Sequence, residues 1–269
     1  MIATNFDLRR LQKNDRRLTS LCLNLTCKGH PKLLEHIKEL SSALANNTVV
    51  NQVSISADDS FNASSCSKTM KALEGLTGAI GDLPLRSLLL SGSPVASGVG
   101  VVPVRLASLL LQSTSRLETL IVYDVSFTGT QADFDLFAQA VQGLWFLQRF
   151  SLDNFRVNST TTSLDALLLS LSTLPSLQAL SVSSSDSDCF STTAFSALFF
   201  SSSIKVLKLK HLALSDDSLI SMAELLQGNT ALQSLTMGPL PDLSPTVAKS
   251  MADIIDSSSP YQKFPTLCP

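Results

Sequence analysis

At 269 residues the chain suffices for one large domain or two small ones, and with 44% apolar residues it can bury a sizeable core. Charged residues make up only 16% and the net charge is −2. That balance excludes a charge-driven disordered chain, and it argues against a general nucleic-acid binder, which needs clustered positive charge to displace counterions. No run of about 18 apolar residues is present, so no membrane-spanning segment is expected.

In chain order, residues 6–14 read as the tail of a helix. A pattern then begins at Leu18, Leu21 and Leu23: apolar, two residues, apolar, one residue, apolar. It recurs at Val50–Val53–Ile55, Leu85–Leu88–Leu90 and Leu117–Leu120–Val122, then at Leu147–Phe150–Leu152, Leu177–Leu180–Val182, Ile204–Leu207–Leu209 and Leu232–Leu235–Met237. Successive copies start 32, 35, 32, 30, 30, 27 and 28 residues apart. The last two apolar positions of each copy alternate, as a short strand with one buried face requires. Between copies lie apolar stripes of helical period. These are Leu33–Ile37–Leu40–Leu44, Phe134–Phe137–Val141–Leu144, Leu164–Leu167–Leu168–Leu171, Leu219–Met222–Leu225–Leu226 and Val247–Met251–Ile254–Ile255. Each unit is one strand, one loop and one helix.

A single unit of this kind cannot cover its own apolar face. Stacked units share a continuous core, with the strands aligned as a parallel sheet and the helices outside. Helices are wider than strands, so the stack curves with its sheet on the concave side. The steps Leu44–Asn47–Val50–Val53 and Leu226–Asn229–Leu232–Leu235 extend the pattern, and Leu111–Thr114–Leu117–Leu120 repeats them without the asparagine. On these residues the chain resembles the leucine-rich-repeat proteins of the ribonuclease-inhibitor-like class, over about residues 6–256. The resemblance implies an α/β horseshoe of about eight repeats forming a single domain, with 257–269 as an irregular tail. It also implies Asn or Cys three residues after the last strand position. Here those places hold Thr26, Asp58, Ser93, Val125, Phe155, Ser185, Leu212 and Leu240, half of them apolar, so the loop hydrogen bonding on that edge is expected to be irregular.

Other segments add detail. Ser91–Pro103, with three glycines, reads as a mobile loop interrupting the third repeat, and the serine-rich stretches 181–191 and 201–203 read as polar loops. Gly75, Gly78 and Gly81 have the wrong spacing for a dinucleotide turn and are expected to weaken a helix instead. The basic run Arg9, Arg10, Lys13, Arg16 and Arg17 is placed to cap the first repeat, or to form a homodimer contact.

Chemistry is sparse. There is no phosphate loop and no nucleophile elbow. His30, His36 and His211 cannot share a ligand geometry, so neither a metal nor a cofactor is expected. The adjacent pairs Asp58–Asp59 and Asp216–Asp217 fit helix capping better than acid–base work. Cys22, Cys27, Cys66, Cys189 and Cys268 are odd in number and irregularly spaced, which suits free thiols in a cytoplasmic setting. The polar start, Met1 to Arg17, does not read as a secretory signal.

What the pattern does offer is the outward face of the strands. One row of outward positions runs Cys22, Ser54, Leu89, Ile121, Ser151, Ser181, Lys208 and Thr236. The next runs Asn24, Ser56, Ser91, Tyr123, Asp153, Ser183, Lys210 and Gly238. Leu89, Ile121 and Tyr123 form an apolar patch, Lys208 and Lys210 a basic end with Lys205 and His211, and Arg149 and Asp153 lie between them. These residues are the expected contact set for another protein. Residues 1–38 carry a net +5 and 117–188 a net −6, a segregation that could steer a charged partner. The expected function is a non-catalytic protein-interaction scaffold. The alternatives are a GTPase-activating auxiliary protein, which the resemblance allows, and a secreted recognition glycoprotein bearing sequons at Asn24, Asn46, Asn62 and Asn158.

Overall fold

The computed structural model describes residues 5–25, 33–57, 67–92, 100–157, 163–184, 190–210 and 216–238, and positions 245, 249 and 253. Helix and strand alternate along them. The first half contains α1 (Asn5–Gln12), β1 (Ser20–Leu25), α2 (Leu33–Leu44), β2 (Gln52–Ala57), α3 (Ser67–Gly81), β3 (Ser87–Gly92), β4 (Gly100–Pro103) and α4 (Val104–Gln112). The second half contains β5 (Thr119–Tyr123), β6 (Val125–Thr128), α5 (Gln131–Gln142), β7 (Arg149–Val157), α6 (Asp165–Ser172), β8 (Ala179–Ser184), α7 (Thr192–Phe199), β9 (Val206–Lys210), α8 (Asp216–Gly228) and β10 (Ser234–Met237). Positions 245, 249 and 253 are helical; the rest of the expected last helix lies outside the described residues.

The strands form an open parallel sheet in the order β1-β2-β3-β5-β7-β8-β9-β10. The helices pack on one another in chain order, from α1 on α2 to α7 on α8. This α/β arrangement fits a repeat-type solenoid.

The register has a backbone cause. Before each strand one carbonyl accepts two N–H groups from the next unit: Thr19 O from Asn51 and Gln52, Arg86 O from Glu118 and Thr119, Gln148 O from Gln178 and Ala179. The same fork continues through Lys205 to Gln233 and Ser234. With the strand starts locked, every inward leucine meets its counterpart: Leu88 pairs with Leu120, Leu120 with Phe150, and Phe150 with Leu180. All four are fully buried.

The asparagine steps also have a physical role. Asn47 Nδ2 donates to Leu11 O at 2.9 Å, and its Oδ1 accepts from the N–H groups of Val49 and Val50. Asn229 repeats this with Phe199 O, Ala231 and Leu232. Both side chains are buried, so each amide replaces the water that the turn backbone would otherwise need. Thr114, at the equivalent place, only bonds back to Leu111 O.

One expectation requires correction. Ser91–Pro103 is not a loop throughout: Ser91 and Gly92 complete β3, and Gly100–Pro103 forms β4. Strand β4 pairs with β6, and β6 with the end of β7, making a second small parallel sheet. The apolar residues expected to leave this edge irregular are its reason. Val125 and Phe155 are fully buried, and Phe127 packs its ring 6.3 Å from Phe134 and 5.7 Å from Phe137. Phe190 bridges Phe155 and Phe195 at 5.9 and 5.4 Å. Side-chain burial here takes the place of a polar ladder. The other six positions, Thr26, Asp58, Ser93, Ser185, Leu212 and Leu240, lie outside the described residues.

At the N-terminal end, Arg10 Nε meets Asp15 Oδ2 at 2.8 Å. The Arg17 N–H, followed by the Arg10 guanidinium, holds the Asp15 carboxyl below the usual carboxylate range. Asn14, in the left-handed region at φ 49°, donates to Asn46 O and accepts from Thr48 N–H, tying the first turn to the second.

Candidate interaction surface

Parallel sheets are ordinarily covered on both faces. Here the helices cover one face, and burial alternates along the strands. In β5 the buried Leu120 and Val122 are flanked by the half-buried Thr119, Ile121 and Tyr123. In β9 the buried Leu207 and Leu209 alternate with the exposed Lys208 and Lys210. The other face therefore stays open along the described strands.

The strand pairing places the outward rows in line. Leu89 stands opposite Ile121, Ile121 opposite Ser151, Ser151 opposite Ser181 and Ser181 opposite Lys208. In the next row Ser91 faces Tyr123, Tyr123 faces Asp153, Asp153 faces Ser183 and Ser183 faces Lys210. Adjacent strands are about 5 Å apart, so Leu89, Ile121 and Tyr123 form one patch, with Arg149 exposed at its strand-start side. Lys208 and Lys210 lie three strands beyond Ile121 and Tyr123. Ser91 and Ser183, expected to be exposed, are buried, so the second row is recessed at these two points.

The middle of the face is held by hydrogen bonds. The Asp153 carboxylate accepts from the hydroxyls of Ser151 and, at 2.9 Å, Ser181. Asp124 and Asn154 both adopt left-handed backbone conformations, at φ 54° and 49°. The Asn154 amide donates to the Asp124 carboxylate, and the Asp124 N–H donates to Asp153 O. Asp and Asn accept this backbone region more readily than other non-glycine residues. The chain can thus leave β5, turn, and enter β6. This fixes Tyr123 at the rim, and no hydrogen bond is formed by its hydroxyl among the described residues.

Among the described residues no cluster of His, Cys, Asp or Glu could hold a metal ion, and no helix is long and apolar enough to cross a membrane. His36 is half-buried on α2. Cys22 is an exposed free thiol on β1. His30, His211, Cys27, Cys66, Cys189, Cys268 and the pair Asp58–Asp59 lie outside the described residues, whereas Asp216 and Asp217 occupy the first turn of α8.

Sequence reasoning missed the turns that precede the strands. Trp145 is 67% exposed, Phe146 59% and Phe200 74%. The available signal was the aromatic doublet between Leu144 and Leu147, both of which are inward and buried.

No protein-family model matches the chain, and no curated protein matches it. Among solved structures, it is similar to the C-terminal domain of tropomodulin from Caenorhabditis elegans. That match has 17% identity and a TM-score of 0.36, and covers 61% of this chain and 87% of that one.

Proposed function

We propose that the chain is a leucine-rich-repeat scaffold of about eight units that binds another protein on the open face of its sheet and performs no chemistry itself. The observation that carries this reading is a parallel sheet with one uncovered face, on which Leu89, Ile121 and Tyr123 adjoin charged groups at fixed spacing. A rigid sheet presents these side chains with little ordering to be done on binding, which favours affinity. Tyr123 and Ile121 are the anchor; Arg149, Asp153, Lys208 and Lys210 supply orientation. A cytoplasmic setting belongs to the same proposal.

The test begins with affinity purification from the native cell. Binding of the recovered partner is then measured by calorimetry for wild type, Tyr123→Ala and Lys208→Ala, each checked for folding. Tyr123→Ala is expected to weaken binding by about 2 kcal/mol, roughly thirtyfold. Lys208→Ala should weaken it less and reduce its salt dependence. Unchanged affinity in both variants would move the contact off the sheet.

A further inference from the structure

The chain contains one tryptophan, and two-thirds of it stands in solvent. Trp145 and Phe146 lie in the turn between α5 and β7, and backbone bonds hold that turn. Leu144 N–H donates to Val141 O, Trp145 N–H to Gly143 O and Leu147 N–H to Leu144 O. With Leu144 and Leu147 buried on either side, the two aromatic rings are directed outward on a fixed support. At the equivalent places the preceding turn carries Ser115 and the exposed Arg116, and the following turn the exposed Pro175 and the half-buried Ser176. The strand register makes these turns neighbours along one rim.

Around the two aromatics the charges left outside ion pairs are positive. Arg116 and the exposed Arg149 take part in neither of the two ion pairs formed among the described residues. Glu118, the acidic side chain between them, is taken up by Arg86 at 3.2 Å. Beyond the aromatics, Gln148, Pro175 and Gln178 add no acid. On the other side of Arg116 opens a recess of about 340 Å³ lined by Asn47, Thr48, Gly81, Pro84 and Thr114, with Asp82 on its wall. The rim therefore offers an aromatic anchor with the unpaired Arg116 and Arg149 next to it in sequence, and a trough beyond Arg116 whose acid, Asp82, joins neither ion pair.

We propose that this rim docks an extended acidic segment of another protein, seating a bulky apolar side chain against Trp145 and Phe146 and carboxylates against Arg116 and Arg149. The proposal deepens the interaction-scaffold reading and rests on it. Exposed aromatics of this size are the usual anchors of interfaces, and the unpaired arginines select the sign of the partner.

The probe is a random library of 12-residue peptides displayed on phage, selected on wild type and on a Trp145→Ser/Phe146→Ser variant whose melting curve matches it. Selected peptides should combine Asp or Glu with Leu, Phe or Met, and should be lost on the variant. A synthetic, tryptophan-free copy of the leading peptide should blue-shift the emission of Trp145, since no other tryptophan contributes. Its affinity should fall at least about tenfold in Arg116→Glu and fall with added salt. The proposal is overturned if peptides selected on wild type also bind the double variant. Enrichment of neutral or basic peptides overturns it too, as does sedimentation showing that a second copy of the chain shields Trp145. If binding is instead lost only in Tyr123→Ala, the rim is wrong and the open-face reading stands.

Discussion

Three glycines in α3 share a spacing and differ in surroundings. Gly75 and Gly78 are exposed, and a methyl group at either would meet open space. A Cβ at Gly81 would overlap the Cβ of Ser113 in the next unit's turn. The same substitution should therefore have opposite signs. Gly75→Ala or Gly78→Ala is expected to stabilise the chain by up to about 1 kcal/mol, because helix formation then loses less backbone entropy. Gly81→Ala should destabilise it by about 1–3 kcal/mol through forced separation of the two turns. Denaturant midpoints for the three variants measure this, and equal shifts would mean that α3 and the turn after α4 are not in contact.

At the scale of the element, α5 has the most complete start among the described helices. Thr130 Oγ1 accepts from the Asp133 N–H, and the Asp133 carboxylate accepts from the Thr130 N–H at 2.8 Å. Each side chain thus satisfies a donor that the first helical turn leaves unpaired. The Thr130 N–H, then its hydroxyl, holds the Asp133 carboxyl below the usual carboxylate range. A depressed folded-state pKa stabilises the fold above the unfolded value, and this contribution is lost as pH falls through the folded one. Asp133→Ala should therefore be about 1 kcal/mol less stable than wild type near neutrality, and the difference should shrink as pH drops below about 4. Paired urea titrations at pH 7 and pH 3 test this; a gap that stays constant would place the effect in packing rather than charge.

Across the whole molecule, stability rests on contacts between successive units. Leu120 sits between Leu88 and Phe150 in the register and is fully buried. Leu120→Ala is expected to cost about 2–5 kcal/mol by removing packed atoms and leaving a cavity. The loss should reach β3 and β7, which flank it. Hydrogen exchange is the suitable measurement: faster exchange in all three strands is expected, while a change confined to β5 would contradict a shared core. The segregated charge bears on association at the same scale, because the excess of positive side chains at 1–38 and of negative ones at 117–188 is separated along the sequence.

Much of this was legible in the sequence because the pattern is local and repeated. Each unit meets the same neighbour, so a repeated spacing such as Leu117–Leu120–Val122 states which side chains are inward, and the repeated copies state which strands pair. The facing of Ile121 with Leu89, and of Asp153 with Tyr123, follows from that periodicity alone. The exceptions lie where contacts leave the period. Val125 and Phe155 break the expected polar ladder, yet they become core once Gly100–Pro103 returns to pair with Val125–Thr128. Ser91 reads as exposed by alternation and is buried in the folded chain. Trp145 and Phe146 have no place in the repeated pattern; the turn directs them into solvent because Leu144 and Leu147 already fill the inward places. A sequence with a strong period determines backbone order and register. Which side chains remain outside is decided only when the space within each unit is filled, because the core admits a fixed volume and excludes the rest.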